Sequence, residues 1–320
     1  MRSAFPVTAA LAALVASGAG TQQPVFRSGL DLVTVGATVL DKRGGFVTDL
    51  KAEDFEVYED GKRQALRFFA PCDAQHDQSE VKPELHLGVL LDISGSMEED
   101  LRLARTAAIK FLNTLVDAVD ITLVDFDTEV RVALYPQSDF AHLVERVRTR
   151  KAEGYTALYD AIGVYLDGAQ SQQGRKVLVL YTDGGDNTSN ITFSETLSLL
   201  KASDVTVYSI GFLEHQPGST MRDQRMQLQQ IAEITGGQFL LPTSIKDLES
   251  AYEKVSQEIA AQYTLGYVST NERADGSWRK IEIRVRRPDP KDVRVRARKG
   301  YFGPYKPTSQ TTGQERPPAS

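Results

Sequence analysis

The chain has 320 residues, a net charge of -6 and 41% apolar residues, which leaves room for a sizeable core and more than one domain. Mild acidity without a basic stripe argues against a role on DNA or RNA, whose phosphates are met by clustered Lys and Arg. One cysteine, Cys72, excludes an intramolecular disulfide, a cysteine zinc site and a CxxC redox pair; with no His or basic cluster near it, Cys72 reads as a half-buried linker residue.

Residues 1–20 place Arg2 ahead of an apolar stretch over 7–15, too short to span a bilayer, followed by Ala16, Gly18 and Ala19. The pattern predicts a cleaved secretory signal and a secreted or periplasmic protein; the alternative is an apolar helix packed on the fold. From 28 to 70 the alternation of Val33, Val35, Ala37 and Val39 with polar or smaller residues, and the Asp60-Gly61 pair between two strand-like runs, predict a small β module with a hairpin. Residues 71–83 are polar and bracketed by Pro71 and Pro83, so they read as a linker.

The run HLGVLLDI over 86–93 is continuously apolar, as expected of a parallel strand buried on both faces. Leu101, Ala104, Ala108, Phe111, Leu112 and Leu115 then recur at helical spacing and predict a helix over 100–119. Further strands are expected at 121–126, 129–135, 176–182, 205–212 and 238–241, and helices at 140–147, 157–169, 193–202, 222–234 and 245–263. This alternation predicts an α/β domain over 84–263, a doubly wound, mostly parallel sheet covered on both faces. Asp127-Thr128 leaves room only for a hairpin, so one edge should be antiparallel.

After 263 the pattern returns to strands at 263–269, 278–288 and 293–302. The N-terminal strands are few for a stable sheet, so the segments on either side of the α/β domain are expected to pack as one β-sandwich, with 264–302 completing the N-terminal module; two separate β lobes are the alternative. Residues 303–320, rich in Pro, Thr, Ser and Gln, read as a disordered tail. Arg284, Arg286, Arg294, Arg296 and Arg298 fall on what reads as the exposed face of paired strands. A solvated face that discourages edge-to-edge aggregation is the first reading, and a patch for an anionic envelope surface the second.

Three stretches carry chemistry. LLDISGSM sets Asp92, Ser94 and Ser96 just past the most apolar strand, at the carboxyl end where open α/β sheets bind ligands. One carboxylate and two hydroxyls suit a hard cation such as Mg²⁺, with Mn²⁺ or Ca²⁺ as alternatives. Asp, Ser and Gly also mark ordinary turns, and Ser96 has the alternative of capping the helix that follows. GYTALYD places Thr156 at a helix entry, and LYTDGG places Asp183 at the exit of a second buried strand, both expected on the same rim. Asp125 and Asp127 read as structural or rim residues.

These three loops resemble the von Willebrand factor A family, whose metal-ion-dependent adhesion site combines Asp-x-Ser-x-Ser with a Thr and an Asp from two further loops. The resemblance spans about 84–263, and the whole chain looks like the secreted von Willebrand factor A-related proteins frequent in Acidobacteria. It implies that Ser94 and Ser96 coordinate the metal directly, that Thr156 and Asp183 alternate between direct and water-mediated contact, and that Asp92 acts from outside the inner sphere. A metal left with an open position would hold an Asp or Glu carboxylate of a partner protein.

Enzymatic chemistry fits poorly, and no catalytic residue is assigned. No Ser lies in a Gly-x-Ser-x-Gly elbow, and His76, His86, His142 and His215 lack metal-ligand spacing. Gly184-Gly185 and Gly236-Gly237 are not followed by the Lys-Ser/Thr pair of a phosphate loop. The expectation is an exported, non-enzymatic adhesion module; its rival is a non-catalytic envelope scaffold that binds through its β-sandwich, with a structural or vestigial metal site.

Overall fold

The computed structural model describes residues 32–72, 83–114, 117–287 and 292–306. Four strands come first: β1 (Leu32–Leu40), β2 (Phe55–Glu59), β3 (Lys62–Gln64) and β4 (Leu66–Ala70). The α/β part follows as β5 (Leu85–Asp92), α1 (Leu101–Thr114), β6 (Ala118–Phe126), β7 (Val130–Pro136), α2 (Phe140–Thr149), α3 (Leu158–Ala169), β8 (Arg175–Thr182), α4 (Phe193–Ala202), β9 (Thr206–Gly211), α5 (Gly218–Ile234), β10 (Phe239–Leu240) and α6 (Ile245–Ala260). Four more strands close the chain: β11 (Tyr263–Val268), β12 (Trp278–Val285), β13 (Arg294–Ala297) and β14 (Gly300–Phe302). The signal read over 1–20 and most of the linker, 73–82, lie outside the described residues.

β5 is buried at every position, as its apolar run demands, and sits inside a six-stranded sheet of order β10-β9-β8-β5-β6-β7. All pairings are parallel except β6 with β7, the hairpin required by the short gap at Asp127-Thr128. On one face Leu87, Val89 and Leu91 pack with Phe111 of α1 and Leu248 and Val255 of α6. On the other, Leu90 packs with Ile162 and Tyr165 of α3 and with Leu228 and Ile231 of α5. Helices on both faces make the sheet doubly wound.

Gly88 permits the close approach of α3. A Cβ built there would lie 2.2 Å from the Tyr165 ring, so a side chain at 88 drives the ring out of a filled layer. Overpacking of this kind costs about 1–3 kcal/mol. The variant G88A is therefore expected to lose that much in urea denaturation; a loss below about 0.5 kcal/mol, the range of an ordinary surface change, would contradict the packing described.

The remaining strands form two antiparallel sheets, β13-β1-β11-β4 and β14-β12-β2-β3. Each mixes strands from before and after the α/β part. Their facing sides share one core, with Val33, Val35 and Leu265 from one sheet meeting Val57 and Ile281 from the other. The α/β domain is thus inserted into a single β-sandwich. Asp60 and Gly61 both have positive φ, 48° and 80°, as a tight two-residue hairpin turn requires.

Two runs that read as single strands are broken between the sheets. The run after Gly61 divides at Ala65 into β3 and β4, and the run over 293–302 divides at Arg298-Lys299 into β13 and β14, each half joining a different sheet. Alternation reports one buried face and is silent about which sheet supplies it, and strands that switch sheets make the corners of sandwiches. Four element boundaries also shift. The helix expected to reach 119 is described as far as Thr114, and Ala118 already pairs with Leu85 in the sheet. The helix expected to reach 263 ends at Ala260, and Tyr263 opens β11. α5 starts at Gly218 rather than 222, its first turn being too polar to show an apolar face. Residues 303–306, read as tail, continue the ladder: Gly303 N donates to Ser277 O at 2.9 Å and Lys306 N to Ala274 O at 2.9 Å.

The division of the last run also corrects the arginine face. β12 and β13 lie in different sheets, so the five arginines do not fall on the face of one pair of strands. Arg284 lies 4.4 Å over the Tyr58 ring and pairs with Glu282, and Arg286 pairs with Glu56 at 2.8 Å. Arg296 pairs with Glu258 of α6, and Arg298 donates to Thr34 O at 2.9 Å and Ser203 O at 3.3 Å. Arg296 and Arg298 therefore fasten the sandwich to the α/β domain, which leaves Arg284, Arg286 and Arg294 as the exposed members of the set. Among the described residues no helix is long and apolar enough to cross a membrane.

Candidate functional site

The site grows from two adjacent strand ends. β5 and β8 run parallel side by side, with Leu91 opposite Tyr181, and so deliver Asp92 and the Thr182-Asp183 pair to the same edge. The chain leaves β5 towards β6 on one side and returns as β8 on the other, which makes this edge the point where strand order reverses and where open sheets bind ligands. Asp92, Ser94, Thr156 and Asp183 are 0%, 0%, 2% and 1% exposed, and Ser96 is exposed.

Asp92 organises the first loop. Its Oδ1 accepts the Ser94 N–H at 2.9 Å, and its Oδ2 accepts the Thr182 hydroxyl at 2.5 Å. The Ser94 and Ser96 hydroxyl oxygens are 3.1 Å apart, so both point to one place. Ser96 lies inside a short 3-10 turn over Gly95–Met97, whose own N-cap Ser94 makes no side-chain cap, and α1 begins only at Leu101, five residues beyond Ser96. The capping alternative for this motif therefore fails.

Thr156 arrives on a loop sewn to its neighbours. Gly95 N donates to Gly154 O at 3.1 Å and Glu153 N to Ile93 O at 2.9 Å, tying this loop to the serine loop. Tyr155 N donates to the Thr128 hydroxyl at 2.9 Å, and Ala157 N to Asp127 O at 2.9 Å, tying it to the β6–β7 hairpin. Thr156 N donates to Asn187 Oδ1 at 2.8 Å, and Thr156 O accepts from Asn187 N at 3.0 Å, tying it to the loop after Asp183. Asp125 and Asp127 hold the hairpin itself: Arg146 and Arg150 converge on the buried Asp125 at 2.6 and 3.1 Å, and Arg131 meets Asp127 at 3.1 Å.

The electrostatics are unbalanced. Burial first, and the neighbouring Asp183 charge second, push the Asp92 carboxyl up to about 7 against the lowering effect of its Ser94 and Thr182 hydrogen bonds. No Lys, Arg or His is among the groups acting on it. Asp183 is engaged by the Gly185 N–H and the Gln216 amide. Among the described residues no three His, Cys, Asp or Glu side chains converge on one point, so a cation here would draw on hydroxyls beside the two carboxylates.

The sequence model of the von Willebrand factor type A domain matches residues 86–254, just over half of the 320-residue chain. The chain belongs to the von Willebrand factor type A family. Among solved structures, this von Willebrand factor type A chain is similar to the PilB minor pilin of Streptococcus sanguinis, at 14% identity and a TM-score of 0.47, with 58% of this chain and 63% of that chain covered. It is similar to the pilus adhesin SpaC of Lactobacillus rhamnosus GG, at 13% identity and 0.46, with 71% and 44% covered. It is also similar to the von Willebrand factor domain of the type V pili tip protein Mfa5 of Porphyromonas gingivalis, at 13% identity and 0.47, with 61% and 100% covered. The chain spans less than two thirds of the length of the first two. No curated protein matches it.

Three residues of this rim escaped the sequence reading. Thr182, which holds Asp92, stands one position before Asp183 at a strand end and was open to inference. Asn187 and Gln216 stand on loops whose course the sequence leaves undetermined.

Proposed function

We propose that the rim formed by Asp92, Ser94, Ser96, Thr156 and Asp183 binds a divalent cation, Mg²⁺ before Mn²⁺ or Ca²⁺, and that the chain is an exported, non-enzymatic module that captures an Asp or Glu carboxylate of a partner protein. One observation carries the reading: two carboxylates, Asp92 and Asp183, are buried together beside two converging serine hydroxyls, with no ion-pair partner acting on Asp92. Buried charge without compensation is costly, and a hard cation with oxygen ligands supplies it. Ser94, Ser96 and Thr156 bring neutral oxygens. A cation held by few charges remains attractive to a further carboxylate, which is the chemistry the metal would supply.

Calorimetric titration of the full chain with Mg²⁺ and Mn²⁺ tests the first half, with saturable heat that a chelator abolishes as the expected result. No heat from either ion would refute it. The second half is tested by capture from an envelope extract with Mg²⁺ or with chelator. A partner retained equally in both conditions would instead favour a scaffold that binds through the sandwich.

A further inference from the structure

Asp183 has both carboxylate oxygens engaged by protein groups. Oδ1 accepts the Gly185 N–H at 2.9 Å, a contact within its own loop. Oδ2 accepts the Gln216 side-chain amide at 2.9 Å, and Gln216 comes from a different segment, the connection between β9 and α5. That connection is anchored twice. Gln216 N donates to Leu213 O at 3.2 Å, closing a turn ahead of Pro217. His215 lies between Asp100 and Glu99, with one ring nitrogen 3.0 Å from each carboxylate. The hydrogen bond and charge of Asp100, with the charge of Glu99, raise the His215 pKa and so favour the cationic ring. Asp100 and Glu99 lie on the turn that leads from Ser96 into α1. The arm carrying Gln216 is therefore fastened to the same segment that bears the two serines.

We propose that Gln216 is the positioning residue of the rim: by holding Asp183 Oδ2 in a hydrogen bond that competes with direct coordination, it limits the negative charge that Asp183 lends to a bound divalent cation. The inference rests on the reading of the rim as a cation site. A hydrogen bond to an ionised carboxylate is about twice as strong as one between neutral groups, and it fixes the plane of the carboxylate as well as weakening the oxygen as a ligand. An ion that receives less charge from Asp183 leaves more for an incoming carboxylate to neutralise. Gln216 forms no hydrogen bond to Asp92, Ser94, Ser96 or Thr156 among the described residues, so its influence passes through Asp183.

The test compares the full chain with two variants that both delete the donor. Q216A removes the side chain, and Q216L keeps most of its volume. Circular dichroism in chelator establishes that each is folded. Mn²⁺ is the probe: calorimetry reads its affinity, and water-proton relaxation reads how many waters remain in its inner coordination sphere. Both variants are expected to bind Mn²⁺ about tenfold more tightly, the scale of one charged hydrogen bond relinquished, and to hold it with fewer inner-sphere waters than the wild type. A merely structural role for Gln216 would lower affinity or leave hydration alone. Unchanged affinity and hydration in both variants overturns the proposal. An effect in Q216A that is absent in Q216L assigns the change to packing and also overturns it. A wild-type chain that binds no Mn²⁺ removes the cation reading itself, an outcome distinct from the other two.

Discussion

Thermal unfolding of the wild type in Mg²⁺ at one hundred times the dissociation constant is expected to rise by about 5–10 °C over the chelated protein, and D92N is expected to show no rise. The size follows from linkage: a ligand bound only by the folded state at that excess adds about 2.7 kcal/mol, and each kcal/mol moves the midpoint by about 2–4 °C in a domain of this length. Asn is isosteric with Asp and still offers an oxygen to the Ser94 N–H, so the loop has little reason to collapse. What D92N removes is charge. In chelator at pH 7 the variant should be at least as stable as the wild type, because a fully buried carboxylate beside Asp183 is gone. A Mg²⁺-dependent rise in D92N equal to that of the wild type would place the ion elsewhere.

The second large effect is expected far from the rim, at the joint between the two parts of the molecule. Arg296 of β13 pairs with Glu258 of α6, whose carboxylate also lies 3.5 Å from the Thr38 hydroxyl of β1. The side chains are 16% and 2% exposed. Removing one member of a buried pair leaves the other uncompensated, at about 3–5 kcal/mol, so R296M should lose that much in urea at pH 7. Replacing both by Met should lose far less, since an apolar pair of similar volume is often neutral. The deficit has a pH signature. Burial already raises the Glu258 carboxyl above its ordinary 4.5, against the pull of Arg296, and loss of the guanidinium raises it further. The folded state then holds the proton more tightly than the unfolded state, so stability falls as pH rises from about 4.5 through the raised value. The R296M deficit should therefore be full above that value and shrink in acid. A loss below about 1 kcal/mol at pH 7 would show the joint to be solvated.

What the sequence discloses here follows from how much each pattern constrains. The β5 run has one reading, because a strand without alternating polar positions from Leu87 to Leu91 must be covered on both faces, and the Asp127-Thr128 gap admits only a hairpin. The strand-end positions of Asp92 and Asp183 follow from the same patterns. The sheet switches at Ala65 and at Arg298-Lys299 do not, since alternation is the same whichever sheet a strand joins. That is why Arg296 and Arg298 read as surface when Arg296 pairs with α6 and Arg298 bridges β1 to the end of α4. Gln216 is illegible for another reason. Its contact with Asp183 depends on a loop path set by His215, Asp100 and Glu99, which are brought together only in three dimensions.

The pairing of β4 with β11, Ala70 opposite Thr264, puts the strand that enters the inserted domain directly beside the strand that leaves it. A pull applied between β1 and β14 therefore reaches the six-stranded sheet only after the antiparallel pairs that tie β1 to β11 and β13, and β4 to β11, have parted. The rim can stay mechanically at rest while the module carrying it is under strain.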